Sequence, residues 1–136
     1  MNDIKLLEIA RDVRHIAEKH PDSCYDLSCW CAICSFKIFK ILRNITKQVY
    51  FAIVDGGCCC HCHCFVIYKN KMIDVTATQF GEKENIVIDD IDTIQYSKKW
   101  YWDKSLMKKF ASVKAIKKEM NKWPEDQNPF CVDLYC

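Results

Sequence analysis

The sequence has few glycines and prolines, three of each in 136 residues, and no long apolar run. A membrane-spanning helix needs roughly 18 or more consecutive apolar residues, and no stretch of the sequence approaches that length. Residues 1–5 open a charged amphipathic segment that is unlike a secretory signal. We therefore expect a cytoplasmic protein without a membrane partner.

The two signs of charge nearly balance, since the sequence has 20 lysines and arginines and 18 aspartates and glutamates, for a net charge of +2. Such a balance gives no electrostatic reason to expect a nucleic-acid partner. Half of the residues are apolar, and a chain of this length buries about two-thirds of its unfolded surface on folding. The composition predicts a single domain over residues 1–136.

Cysteine, by contrast, is abundant. The eleven cysteines are Cys24, Cys29, Cys31, Cys34, Cys58, Cys59, Cys60, Cys62, Cys64, Cys131 and Cys136. An odd number excludes complete pairing, and a reducing compartment keeps thiols free. Three interpretations follow: buried thiols that fill the core, metal ligands, or one catalytic thiol among inert neighbours.

Hydrophobic periodicity and turn residues predict an α+β fold of one domain, with an apolar central helix packed on an antiparallel sheet. The predicted elements are helices at 4–20 and 29–43, a strand at 48–54, a hairpin of strands 60–68 and 72–78, a strand at 85–90, and a last helix from Asp103 to about Lys122.

Cys31 lies near the start of the second predicted helix. With Ser28 as the N-cap, Cys31 is the third helical residue, close to backbone N–H groups that have no partner within the helix. These groups and the helix dipole lower the pKa of a thiol and can contribute to an oxyanion hole. Cys31 is therefore the first candidate nucleophile, and Cys29 is the second.

His63 and Asp74 lie eleven residues apart on the two strands of the predicted hairpin. Alternation of side chains places them on one face if the hairpin loop has an even length. Asp74 interrupts an apolar strand, and a buried carboxylate needs a partner, for which His63 is the candidate. We expect His63 to be the base that Asp74 orients, with His61 as the alternative base.

Three segments resemble papain-like and transglutaminase-like thiol enzymes: residues 31–35, which open an apolar helix, residues 63–66, and residues 73–80. The resemblance covers roughly residues 24–80. It implies a catalytic triad of Cys31, His63 and Asp74, and a fold in which the helix carrying the Cys packs on an antiparallel sheet.

The same resemblance implies a cysteine hydrolase or acyltransferase that attacks an amide of a protein or peptide and forms an acyl-enzyme, without a cofactor or metal. Peptidase, deamidase and transglutaminase-like reactions all fit this scheme. Two departures stand out: no Gln precedes the Cys to complete the oxyanion hole, so Tyr25, Ser28 or a backbone group must replace it, and Cys62 precedes His63 where Gly is common.

The segment 58–64 supports a different function, because its cysteines and histidines are soft ligands that suit zinc or copper(I), with Cys131 or Cys136 as additional ligands. Alternation along a strand splits the segment between two faces, so a tetrahedral site does not form locally without a turn. A third alternative is an inactive protein of the same fold that binds a partner.

Overall fold

The computed structural model describes residues 1–24, 26–55, 62–80, 85–92 and 107–135. Within these ranges the chain forms three α-helices, five β-strands and two short 3₁₀ helices. In chain order they are α1 (Asp3–Lys19), α2 (Cys31–Arg43), β1 (Val49–Asp55), β2 (Cys62–Tyr68), β3 (Lys71–Asp74), a 3₁₀ helix (Ala77–Phe80), β4 (Val87–Asp90), β5 (Lys108–Phe110), α3 (Val113–Met120) and a 3₁₀ helix (Glu125–Gln127). The α+β class predicted from the sequence is confirmed.

The five strands form one sheet in the order β4-β3-β2-β1-β5, and all neighbouring strands are antiparallel. β2 is therefore the central strand. A two-residue turn at Lys69 and Asn70 joins β2 to β3, and Tyr68 pairs with Lys71 across it. Lys69 adopts a positive φ of 47°, as tight hairpin turns require.

The sheet is apolar on both faces. One face packs against α2, whose residues are too apolar for a surface helix, and the core there includes Phe39, Phe51 and Val66. A smaller cluster, which includes Phe65 and Met72, covers the opposite face. Alternating residues of β2 thus point into two different cores. For this reason every side chain from His63 to Tyr68 is buried.

α1 is the amphipathic helix that the sequence predicts. The side chain of Asn2 caps it by accepting from the Lys5 backbone N–H at 3.0 Å, and the helix ends one residue before His20. Its buried face consists of Leu6, Ile9, Ala10, Val13, Arg14 and Ala17. The charged Arg14 on this otherwise apolar face is the exception that bears on the site.

The prediction of one last helix from Asp103 to Lys122 is wrong for the residues described. Lys108–Phe110 forms β5, which pairs with Phe51–Ile53 of β1, and a shorter helix, α3, begins after Ser112. The hydroxyl of Ser112 accepts from the Ala115 backbone N–H at 3.2 Å and caps this helix. The backbone of residues 108–110 pairs with the edge of β1. This pairing outweighs the helical conformation that the spacing of their apolar neighbours predicts.

The second strand of the hairpin is also shorter than predicted, because β3 ends at Asp74 and not at Thr78. The Asp74 side chain accepts from the Thr76 backbone N–H at 2.8 Å, and this local bond replaces continued sheet pairing. In the part of the chain that the structure describes, no helix is long and apolar enough to cross a membrane.

Candidate active site

The loop before α2 is held by a turn around Asp26. One oxygen of its carboxylate accepts from the Ser28 backbone N–H at 3.0 Å and from the Ser28 hydroxyl at 2.6 Å. The hydrogen bonds from Ser28 lower the pKa of the Asp26 carboxyl. Because the Ser28 hydroxyl donates to Asp26, the prediction that Ser28 caps the helix is wrong.

The backbone instead enters the helix through Trp30, which is the N-cap and makes no side-chain capping bond. Leu27 and Cys29 adopt left-handed φ values of 58° and 67°, which cost non-glycine residues energy and cluster at functional sites. Cys31 is therefore the first residue of α2 and not the third. It still lies in the first turn, among backbone N–H groups without an intrahelical acceptor.

His63 and Asp74 are in direct contact, with Nε2 of His63 2.6 Å from Oδ2 of Asp74. Both side chains are 1% exposed. The last Cα pair between β2 and β3 is Val66 with Ile73, so Asp74 lies one position further along, diagonal to His63. Diagonal neighbours on one face of a sheet are within reach of long side chains, and the two-residue turn supplies the offset.

The carboxylate of Asp74 is fixed in orientation because both of its oxygens accept hydrogen bonds. Oδ1 accepts from the backbone N–H and the hydroxyl of Thr76, at 2.8 and 3.2 Å, while Oδ2 faces the imidazole. A carboxylate held in this way fixes the ring orientation of the histidine and directs its other nitrogen away from the carboxylate.

Cys31 and His63 form a hydrogen bond and an electrostatic pair. Although burial lowers the pKa of His63 more than any other single effect, the charge and hydrogen bond of Asp74, together with Cys31, raise it to about 9. The Cys31 pKa is well below its ordinary value, because hydrogen bonds from Cys64 and His63 and the charge of His63 outweigh burial. Both shifts act in the direction of a thiolate beside an imidazolium, which is the state that a nucleophilic thiol requires.

Cys64 is a neighbour of Cys31 that the sequence did not single out. Its thiol and its backbone N–H both hydrogen-bond to the Cys31 sulfur. Cys64 itself is completely buried, and burial raises its pKa well above the ordinary value. Alternation along β2 was the available signal, because it places Cys64 on the face that packs against α2, opposite to the face of Phe65.

Arg14 connects the two segments that carry the site, and its own side chain is buried. Its Nη1 donates to the Val75 carbonyl at 2.7 Å and to the Thr78 hydroxyl at 2.9 Å, and its Nε donates to Glu18 at 2.7 Å. The Thr78 hydroxyl in turn donates to the Asp26 carbonyl at 3.1 Å. Arg14 thus ties the segment after Asp74 to the loop before Cys31.

The rival thiols differ from Cys31 in environment. Cys29 is exposed, and partial burial and the charge of Cys31 raise its pKa. Cys34 is buried, and burial raises its pKa strongly, with Cys31 adding to the effect. From the described residues, neither thiol receives the hydrogen bonds that favour the thiolate of Cys31.

Some residues of the metal hypothesis lie outside the described residues, namely Cys58, Cys59, Cys60, His61 and Cys136. His61 is also the alternative base. Tyr25, a candidate for the oxyanion hole, lies outside the described residues as well. Among the residues described, no three histidine, cysteine, aspartate or glutamate side chains are grouped so that they can hold a metal ion. Six of the described cysteines are free thiols: Cys24, Cys29, Cys31, Cys34, Cys64 and Cys131.

Comparisons with family models, with curated proteins and with solved structures found no match to this chain.

Proposed function

We propose that this protein is a cysteine hydrolase or acyltransferase of the papain-like and transglutaminase-like kind, with Cys31 as nucleophile, His63 as its proton carrier and Asp74 as the residue that orients His63. The observation that carries the proposal is the buried contact chain from the Cys31 sulfur to the His63 imidazole and on to the Asp74 carboxylate, which lies 2.6 Å from the imidazole. The order of the three residues along the chain and the position of Cys31 at a helix start support it.

In the proposed reaction the Cys31 thiolate attacks the carbonyl carbon of an amide. The tetrahedral oxyanion requires donors, and the backbone N–H groups of the first turn of α2 are in a position to supply them. The His63 imidazolium then donates its proton to the leaving amine, and a thioester to Cys31 remains. Water or an amine resolves the thioester, with His63 accepting a proton and Asp74 stabilising its charge.

The substrate class that fits this chemistry is a protein or peptide, attacked at a peptide bond or at a glutamine side chain. A thioester is common to both cases. Hydrolysis of a peptide bond gives new termini, hydrolysis at a glutamine side chain releases ammonia, and transfer to an amine gives a new amide.

The test begins with p-nitrophenyl acetate, an activated acyl donor that any nucleophilic thiol accepts. We expect rapid transfer of one acetyl group to Cys31, located by peptide mapping, and no transfer at that position in Cys31→Ala. Cys34→Ala is the matched control, since it makes the same change one helical turn away in a buried thiol that lies outside the contact chain. Absence of acylation at Cys31 would contradict the proposal.

The second stage identifies the reaction with reduced and alkylated casein, an unfolded protein substrate. Mass spectrometry distinguishes new termini, conversion of Gln to Glu, and incorporation of an added primary amine. We expect one of these products from the unsubstituted chain and none from Cys31→Ala. A product that forms equally in the two would rule out Cys31 as the nucleophile.

A further inference from the structure

Cys31 and Cys64 form a pair of neighbouring thiols on two different elements, the first residue of α2 and the middle of the central strand β2. The side chain of Cys64 hydrogen-bonds with that of Cys31, and both residues belong to the same buried cluster between α2 and the sheet. Both residues are buried, Cys31 being 4% exposed and Cys64 completely enclosed.

The two thiols have opposite acidities. Hydrogen bonds and the charge of His63 favour the thiolate of Cys31, whereas burial and the neighbouring Cys31 keep Cys64 protonated. Peroxides oxidise thiolates and leave thiols largely unreacted. An oxidant small enough to reach the site therefore reacts first at Cys31, and the adjacent Cys64 is available to react with the product.

We propose that Cys31 and Cys64 form a disulfide when the protein meets hydrogen peroxide, and that this bond reversibly protects and blocks the site. Formation of the disulfide depends only on the geometry of the two thiols. The claim that it blocks catalysis rests on the proposed function.

The chemistry proceeds in two steps. The Cys31 thiolate attacks one oxygen of hydrogen peroxide, the O–O bond breaks, and a sulfenic acid forms at Cys31 while the second oxygen leaves as water after taking a proton. The Cys64 sulfur then attacks the Cys31 sulfur, the S–O bond breaks, and the hydroxide leaves as water with the proton of Cys64. Two thiols lose two electrons in total, and one peroxide is reduced to two waters.

Among the described cysteines, two other thiols near Cys31 are less well placed. Cys29 is exposed before the helix, and Cys34 lies one turn further along it; both sense the charge of Cys31, but the hydrogen bond from a thiol to Cys31 comes from Cys64.

The experiment treats the reduced chain with an equimolar amount of hydrogen peroxide and blocks the remaining thiols with N-ethylmaleimide. Digestion without a reductant, followed by mass spectrometry, maps the pairing of all eleven cysteines. We expect one dominant linked pair of peptides, joining Cys31 to Cys64, and its disappearance with dithiothreitol. Pairing of Cys31 with any other cysteine, or recovery of both residues as free thiols, would overturn the inference.

Two variants sharpen the result. In Cys64→Ala the sulfenic acid has no partner, so we expect Cys31 to progress to the sulfinic and sulfonic acids and the recovery of a free Cys31 thiol by dithiothreitol to be lost. Cys34→Ala should recover as the unsubstituted chain does. Full recovery of Cys31 in folded Cys64→Ala would count against Cys64 as the resolving thiol.

The same samples separate this inference from the proposed function. Acyl transfer to Cys31 from p-nitrophenyl acetate is measured before peroxide, after peroxide and after dithiothreitol, and we expect it to be present, lost and restored. A Cys31–Cys64 disulfide in a chain that shows no acyl transfer before treatment would reject the proposed function and retain the disulfide. Acyl transfer that persists with the disulfide fully formed would overturn the claim that the bond blocks the site.

Discussion

Cys31 and Cys34 lie one turn apart on the same helix, and both are buried, yet their thiols have opposite properties. The Cys34 pKa rises because burial disfavours the thiolate, while the Cys31 pKa falls. The difference comes from their neighbours: Cys31 faces the imidazole of His63 and the thiol and backbone N–H of Cys64. In a cysteine-rich chain, burial alone makes a thiol inert, and donors placed around the sulfur reverse that effect.

The largest difference between the two positions should appear when each is changed to alanine. We expect Cys31→Ala to lower the rate of casein turnover by on the order of 10⁴-fold or more, since the thioester has no sulfur on which to form. Cys34→Ala should retain most of the activity of the unsubstituted chain. A comparable loss in both variants, with both folded by circular dichroism, would remove the distinction between the two thiols.

The next test removes the imidazole that distinguishes Cys31. His63→Gln keeps a polar side chain but loses the charge that favours the thiolate, so the midpoint for alkylation of Cys31 by iodoacetamide should move to higher pH. Acyl transfer should fall by roughly 10²–10⁴-fold, the usual contribution of a general acid or base. Peptide mapping across a pH series gives the midpoint at each cysteine, and Cys34 serves as the internal control.

A smaller effect should follow when Asp74 loses its charge. His63 holds its proton below a pKa of about 9, and the charge and hydrogen bond of Asp74 contribute to that value. The amide reaction needs the protonated imidazole for the leaving amine, so its rate should decline as the pH rises through about 9. In Asp74→Asn that decline should begin at lower pH, with roughly a 10- to 1,000-fold loss at the optimum.

The rate of casein turnover between pH 5 and pH 10 measures this effect. Alkylation of Cys31 provides the contrast, because it needs only the thiolate and should not decline above the His63 pKa. An alkaline limb at the same pH in Asp74→Asn as in the unsubstituted chain would show that Asp74 does not set the protonation of His63.

The smallest expected effect is on the free energy of unfolding, through the hydrogen bonds of Arg14 that hold the loop before Cys31. Arg14→Lys keeps the charge, but a single Nζ cannot replace both Nη1, which donates to Val75 and Thr78, and Nε, which donates to Glu18, so it should lower the free energy of unfolding by about 2 kcal/mol. Arg11→Lys is the matched control, because it makes the same change on the exposed face of α1 and should alter stability by less than about 0.5 kcal/mol. Urea denaturation of both variants provides the comparison.

The sequence predicted the parts of the fold that depend on local periodicity and on turns. α1, the apolar α2, β1 and the β2–β3 hairpin all lie within a few residues of the predicted bounds. The proximity of His63 to Asp74 could also be inferred, because a buried carboxylate requires a partner and a short hairpin offers one within reach. These conclusions need only the residues themselves and the geometry of one hairpin.

The features that the sequence did not predict depend on contacts between distant segments. Ser28 has the identity of an N-cap, but its hydroxyl is used by Asp26, two residues earlier. Residues 108–110 lie in a sequence pattern that predicts a helix, but they pair with the edge of β1 and form a strand. Arg14 donates hydrogen bonds to residues more than sixty positions away in the chain. Its position on the buried face of α1 is the one feature that indicates a structural role for this charge.

The central position of β2 in the sheet has a consequence for how the molecule opens. Local unfolding usually starts at strand edges and chain ends, whereas central strands exchange their amide hydrogens only when most of the structure is lost. β4 and β5 occupy the two edges, while β2 carries both His63 and Cys64 and has a strand on either side. Local opening at the edges of the sheet therefore leaves β2 paired with its neighbours. Separation of β2 from the sheet coincides with cooperative unfolding of the domain.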